Sequence, residues 1–156
     1  MKIFVANTDI RWYRFLSDRD QTSEVNFWRP RGGTASFRAI SPGELLFFRL
    51  GKPVNKIAGF GLYWHHSVIP LHMAWDTFGE ANGAATRQEL VALIAKHRGE
   101  PVGAAGSLTW QIGCTILVDV HYYPEHAWLE FRFPPGLVQG RRLTSTALTA
   151  LTFGIT

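Results

Sequence analysis

Residues 41–66 read SPGELLFFRLGKPVNKIAGFGLYWHH. Ser41-Pro42-Gly43 is turn chemistry, and it launches residues 44–50 (ELLFFRL), an apolar run of the length of a buried strand. Gly, Pro and Asn in residues 51–55 spell a second turn. Residues 56–66 (KIAGFGLYWHH) follow as another strand, in which Gly59 and Gly61 mark a bulge or a close backbone approach. Turn, strand, turn, strand without a helical period makes sheet the framework of the chain.

The same reading extends in both directions. Towards the N-terminus, residues 2–6 alternate as a strand, and Asp9 caps a short helix over 10–16 with Trp12, Phe15 and Leu16 inward. Residues 17–23 are a polar loop, 24–28 (EVNFW) a strand and 29–36 (RPRGGTAS) a mobile basic loop. Towards the C-terminus, Pro70 starts a helix over 71–78, and Thr86-Arg87-Gln88-Glu89 is a capping box opening another to about His97. A Gly/Ala/Pro loop over 100–109 precedes strands at 112–120 and 127–133. The uncharged tail 144–156 shows no period. Five or six strands with inserted helices predict an α+β fold: a mostly antiparallel sheet curled into a barrel with flanking helices. Residues 1–143 form one domain in this reading, and no repeat or linker divides them.

A chain of 156 residues buries a core without staples. Cys114 is the single cysteine, so no intrachain disulfide forms, in keeping with a reducing, cytoplasmic setting. No apolar run reaches 18 residues, so no membrane-spanning helix is expected. The first ten residues lack the apolar region and cleavage site of a signal peptide. Net charge is +4, but residues 1–56 hold ten Lys/Arg against five Asp/Glu, and residues 57–156 six against seven. The whole positive excess therefore lies in the first third, where it favours a polyanionic partner.

Catalytic signatures are missing. There is no G-x-S-x-G elbow and no phosphate loop, and Cys114 in IGCTILV reads as a small core residue. His65, His66 and His72 are close in sequence, but adjacent histidines on a strand point to opposite faces, so no metal site is expected. Asp18 and Asp20 need no explanation beyond solubility. No catalytic residue and no cofactor is expected.

What remains is the basic, aromatic N-terminal third. Trp12 and Tyr13 lie between Arg11 and Arg14, Phe27 and Trp28 between Asn26 and Arg29, and Arg31, Arg38, Lys52 and Lys56 follow. Arginine and lysine neutralise phosphates, aromatic rings stack on bases, and asparagine reads a base edge. Trp75 and Trp110 are assigned to the core.

Several stretches together resemble a known group. They are Phe4-Val5, Thr8-Asp9, Trp12, EVNFW-x-P, FRAISPGELLFFRL, IAGFG, PLHMAWDTFGEANGA, Ile112-Gly113-Cys114 and Val138-Gln139-Gly140. Over roughly residues 3–140 the chain resembles the N-terminal domain of bacterial HNH-type, modification-dependent restriction endonucleases. That domain is similar to the PUA superfamily, alongside the EVE, YTH, ASCH and SRA domains. The resemblance implies a curled barrel that binds DNA and holds a flipped, modified base in an aromatic pocket, guiding a nuclease. Thr8, Asp9, Trp12, Asn26, Phe27 and Trp28 would build the pocket, with Asp9 or Asn26 on the base edge and Trp28 on the ligand side of its strand. Arg29, Arg31, Arg38, Lys52 and Lys56 would hold phosphates. The HNH part has no counterpart here, so this chain is expected not to cut DNA. Arg141 replaces the usual lysine, and Trp64 and His66 stand where a small residue and an aromatic are the pattern. The alternatives are an RNA-binding module of the same fold, and a small ASCH-type amidohydrolase, which would need a pocket lysine where only Lys2 is nearby.

The N-terminal charge excess predicts salt-dependent binding of nucleic acid. Each phosphate contact steepens the fall of log K with log salt by about 0.9. Titrations between low and physiological salt should show a slope of several such units, and a flat response would remove the electrostatic part of this reading.

Overall fold

A computed structural model describes residues 2–33, 37–101, 106–131 and 140–144. Seven strands and three α-helices are ordered as β1 Lys2–Thr8, α1 Ile10–Asp18, β2 Glu24–Arg29, β3 Leu45–Leu50, β4 Lys56–Pro70, α2 Leu71–Phe78, α3 Arg87–Arg98, β5 Gln111–Tyr122, β6 Leu129–Glu130 and β7 Gly140–Thr144. The chain thus has the expected α+β class. The strands form one sheet in the order β2-β5-β4-β3-β1-β7, with β6 beside β4. All pairs are antiparallel except β1 with β3, where Ile3 faces Leu45 and Thr8 faces Leu50. A parallel pair needs a crossover, and α1 with β2 lies between these two strands in sequence. The path ends at β2 and β7, and no pairing between them closes a barrel among the described residues.

β1 lies inside the sheet, between β3 and β7, and its middle residues pack on both faces. Ile3 and Val5 meet Ile57 and Phe131 in a small cluster. Ala6 joins the main core with Trp12, Tyr13, Leu16, Phe48, Leu71, Leu90, Ile94 and Leu117. Alternation along one strand thereby feeds two clusters. Bulges at Phe48/Arg49, Phe60/Leu62 and Tyr63/His65 bend β3 and β4, next to the two strand glycines.

The local signals act through identifiable bonds. Asp9 caps α1 by accepting from Arg11 N at 2.7 Å. Thr86 caps α3 by accepting from Glu89 N at 3.1 Å, while the Glu89 carboxylate reaches back to Ala85 N, one residue before the expected partner. The SPGE turn is closed by Glu44, whose carboxylate accepts from Ser41 N and Lys2 N. Cys114 is buried, and burial pushes its thiol up to about 11, opposed in part by the Asn26 amide.

Several expectations need correction. α1 runs on to Asp18, so part of the expected loop over 17–23 is helix. β6 is only Leu129–Glu130, because residues 125–127 form a 3₁₀ turn first; residues 132 and 133 lie outside the described residues. Thr144, expected in the unstructured tail, pairs with Lys2 at the end of β7, and residues 145–156 lie outside the described residues. The loop expected to be mobile begins pinned. Arg98 donates to Pro30 O at 2.9 Å, and a Cβ on Gly32 would come within 2.9 Å of Val68. Trp75 and Trp110 are half-buried against the core rather than inside it.

Gly83 closes the turn after α2 with φ of 85°, and an added Cβ would lie 2.3 Å from Trp12 Cδ1. Gly83→Ala combines left-handed strain with a clash against a buried indole. We expect a loss of about 2–4 kcal/mol by denaturant titration; a wild-type midpoint would show that Trp12 can move freely.

Candidate functional site

A cleft of about 740 Å³ opens where the end of β1, the start of α1, the end of β2 and the last turn of α3 converge. Its walls include Thr8, Asp9, Trp12, Phe27, Trp28, Arg29, Arg31 and His97. Seven of these belong to the expected site, drawn together from two separate stretches of sequence. Asn26, Arg38, Lys52 and Lys56 are not among the lining residues.

The aromatic wall is continuous with the core. Trp12 is buried, donates its indole N–H to Asn26 O at 3.1 Å, and meets Phe27 edge-to-face at 5.2 Å. Phe27 is half-buried and stacks on Phe48 at 6.0 Å with 11° between the rings. Trp28 differs from expectation. It is only 9% exposed and donates its indole N–H to Asn82 O at 2.9 Å, so it is a core residue with one rim on the cleft. Alternation does turn Phe27 and Trp28 opposite ways, but α3 and the turn after α2 cover the Trp28 side. Phe27 is the more open ring.

Asn26 is a second correction. It is fully buried, and its amide donates to Asn82 Oδ1 at 2.9 Å and to Cys114 Sγ at 3.3 Å. It braces β2 from inside and presents nothing to the cleft.

Asp9 occupies the cleft wall with its side chain 12% exposed. Its Oδ1 accepts from Arg11 N; its Oδ2 accepts from Arg11 Nη2 at 2.9 Å and lies 2.7 Å from His97 Nε2. Burial raises the Asp9 carboxyl, but the bonds from His97 and Arg11 outweigh it and hold the group well below the usual carboxylate range. Since both oxygens are engaged, Asp9 is an anchor for other side chains rather than a base reader. His97 packs edge-on against Trp28 at 5.6 Å and 74°. It was missed in the sequence because it lies 88 residues from Asp9, in a helical last turn where basic residues are ordinary.

The cationic side of the cleft is Arg29 and Arg31. The Arg29 guanidinium lies 5.2 Å over Phe37. Arg31 donates to Arg98 O at 2.9 Å and lies 3.8 Å from Glu100, with most of its side chain exposed. Arg38 and Lys52 are exposed beyond the lining, and Lys56 lies 3.9 Å from Glu130 at the β4–β6 edge.

No family model and no curated protein matches the chain. Solved structures do. A tyrosine-to-phenylalanine mutant of ZmASCH from Zymomonas mobilis has a TM-score of 0.61 at 12% identity, over 97% of this chain and 99% of that one. A serine-to-alanine mutant of the same protein has a TM-score of 0.58 at 11% identity, over 96% of each chain. The unmutated ASCH from Zymomonas mobilis has a TM-score of 0.55 at 10% identity, over 96% of this chain and 92% of that one. The fold is thus similar to that of these ASCH structures. Likeness at this identity carries the fold alone. No helix among the described residues is long and apolar enough to cross a membrane.

A carboxylate held low in the folded state stabilises above its unfolded pKa, about 3.9, and that contribution is lost as pH falls below it. Asp9→Asn keeps a cap but lacks the charge. The wild type should therefore exceed Asp9→Asn by about 1–2 kcal/mol at neutral pH, with the gap closing as pH falls from 5 towards 2. Thermal melts across that range check it, and a gap independent of pH would contradict the ion-pair account.

Proposed function

We propose that this domain binds DNA and receives an extruded, modified base in the cleft, as the recognition module for a nuclease supplied elsewhere in a bacterial cytoplasm. The observation that carries the reading is the joining, in one cleft, of ring surfaces from Trp12, Phe27 and Trp28 with the guanidinium groups of Arg29 and Arg31. Rings offer a base its stacking partners, and guanidinium groups at the mouth offer the adjoining phosphates theirs. The volume falls within the about 300–1,000 Å³ range usual for ligand pockets. A modified or mispaired base is cheaper to extrude, which makes selectivity for such bases available to a pocket of this kind. The resemblance to restriction-enzyme recognition domains points the same way, and closure of the curled sheet into a full barrel belongs to that reading. So do outer contacts from Arg38, Lys52 and Lys56.

Single-stranded RNA is the second reading, because stacking on Phe27 would serve an unpaired RNA base equally well. The amidohydrolase alternative needs a lysine in the pocket, and the lining residues among those described include none. We read the domain as recognising rather than cleaving.

The test is competition between duplexes carrying one modified cytosine, the plain duplex and single-stranded RNA. Phe27→Leu preserves apolar volume but removes the flat ring. It should weaken binding of the modified duplex about tenfold while leaving the melting temperature near wild type. Arg31→Ala should weaken all duplexes alike and reduce the salt slope by about 0.9. Trp28→Ala, in contrast, should lower stability by about 3–5 kcal/mol. Preference for RNA over every duplex would move the domain to the second reading, and unchanged binding by Phe27→Leu would place the base elsewhere.

A further inference from the structure

Resting on the reading of the cleft as a base pocket, a finer assignment follows from the Asp9–His97 pair. The Asp9 carboxyl is held low, so it is an ionised group that only accepts hydrogen bonds. With His97 Nε2 at 2.7 Å from Asp9 Oδ2, the proton between them sits on Nε2. A neutral imidazole carries one proton, so with Nε2 protonated the other nitrogen, Nδ1, is an acceptor. Among the described residues Nδ1 has no hydrogen-bond partner, and the side chain is 41% exposed on the cleft wall. The ring is held by Trp28 on one side and by Asp9 on the other, and Asp9 is itself fixed by Arg11.

The other described side chains of the cleft are donors or already bonded to the protein. Arg29 and Arg31 only donate. Thr8 directs its hydroxyl hydrogen to Ala6 O at 2.9 Å, Asn7 Oδ1 accepts from Arg49 at 2.8 Å, and both Asp9 oxygens are engaged. We propose that His97, oriented by Asp9, is the specificity-determining residue of the cleft: its Nδ1 accepts a hydrogen bond from the exocyclic amino group of the bound base. The ligand class is then an amino-bearing base, cytosine or adenine and their ring-modified forms, with its adjoining phosphates left to the arginines.

Duplexes with a single unpaired base test this without added bulk. Cytosine is compared with pyrimidin-2-one, and adenine with purine; each analogue lacks only the amino group. The wild type should prefer cytosine or adenine to its own analogue by about five- to tenfold, and the pair showing the preference identifies the base. His97→Phe keeps an aromatic ring against Trp28 and should abolish that preference while retaining the salt slope. Nitrogen-15 shifts of His97 should report a protonated Nε2 and an unprotonated Nδ1 in the free protein. Persistence of the preference in His97→Phe, its absence in the wild type, or a protonated Nδ1 at neutral pH would overturn the assignment of His97 alone. A wild type that binds none of these duplexes at low salt would overturn the base-pocket reading and this assignment with it.

Discussion

Two buried asparagines hold the cleft in shape. Asn82, in the turn after α2, accepts the Asn26 amide on its Oδ1 and the Trp28 indole N–H on its backbone oxygen. Its own amide donates to Ala74 O at 3.1 Å and Gly79 O at 2.8 Å. One residue thus fastens the middle and end of β2 to the end of α2. In a low-dielectric interior each of these bonds is strong, and any one left unmade is costly, so the set acts as a unit. Trp12 is coupled to the same unit, since its indole bonds Asn26 O and its ring lies against Gly83, the next residue after Asn82. The aromatic wall is therefore fixed from behind, by polar contacts that never reach the ligand side.

How much of this was legible in the sequence follows from range. Local chemistry could be read directly: Asp9 and Thr86 cap helices, Ser41-Pro42-Gly43 turns the chain, and ELLFFRL is buried strand. Alternation correctly separated Phe27 from Trp28, but it cannot say which neighbour covers which face. That depends on α3 and the turn after α2, more than fifty residues away, as the separation of 54 between Trp28 and Asn82 shows. Asn26 failed for the same reason. Its polar side chain suggested a base reader, while its amide nitrogen is bonded to Asn82 and Cys114 inside the core. His97 was invisible because its meaning lies wholly in its distance from Asp9.

The fold and the site are separate conclusions. Three structures of one bacterial protein share the fold at 10–12% identity. At such identity a sheet order and a set of helix positions persist while pocket residues are free to change. The chemistry of this cleft must accordingly be argued from its own groups, and those groups are unevenly available. The polar side chains that looked most suited to reading a base are engaged with the protein, and the ones that remain are rings, guanidinium groups and one imidazole nitrogen.

The placement of that imidazole has a cause in the helices themselves. Asp9 is the N-cap of α1, where the aligned peptide dipoles present partial positive charge; His97 is in the last turn of α3, where they present partial negative charge. The Asp9–His97 bond joins the two ends, with the anion at the end that favours an anion and the proton donor at the end that favours a donor. Arg31 is tied to the same last turn through Arg98 O, so the cationic side of the cleft and the imidazole share one support. A ligand that met only the arginines would leave the imidazole nitrogen solvated. One that met only the imidazole would leave the guanidinium groups without an anion. On the proposed reading of the cleft, a ligand carrying both an N–H donor and phosphate a short distance apart would meet both, and a nucleotide carries both where a free base or an inorganic anion does not.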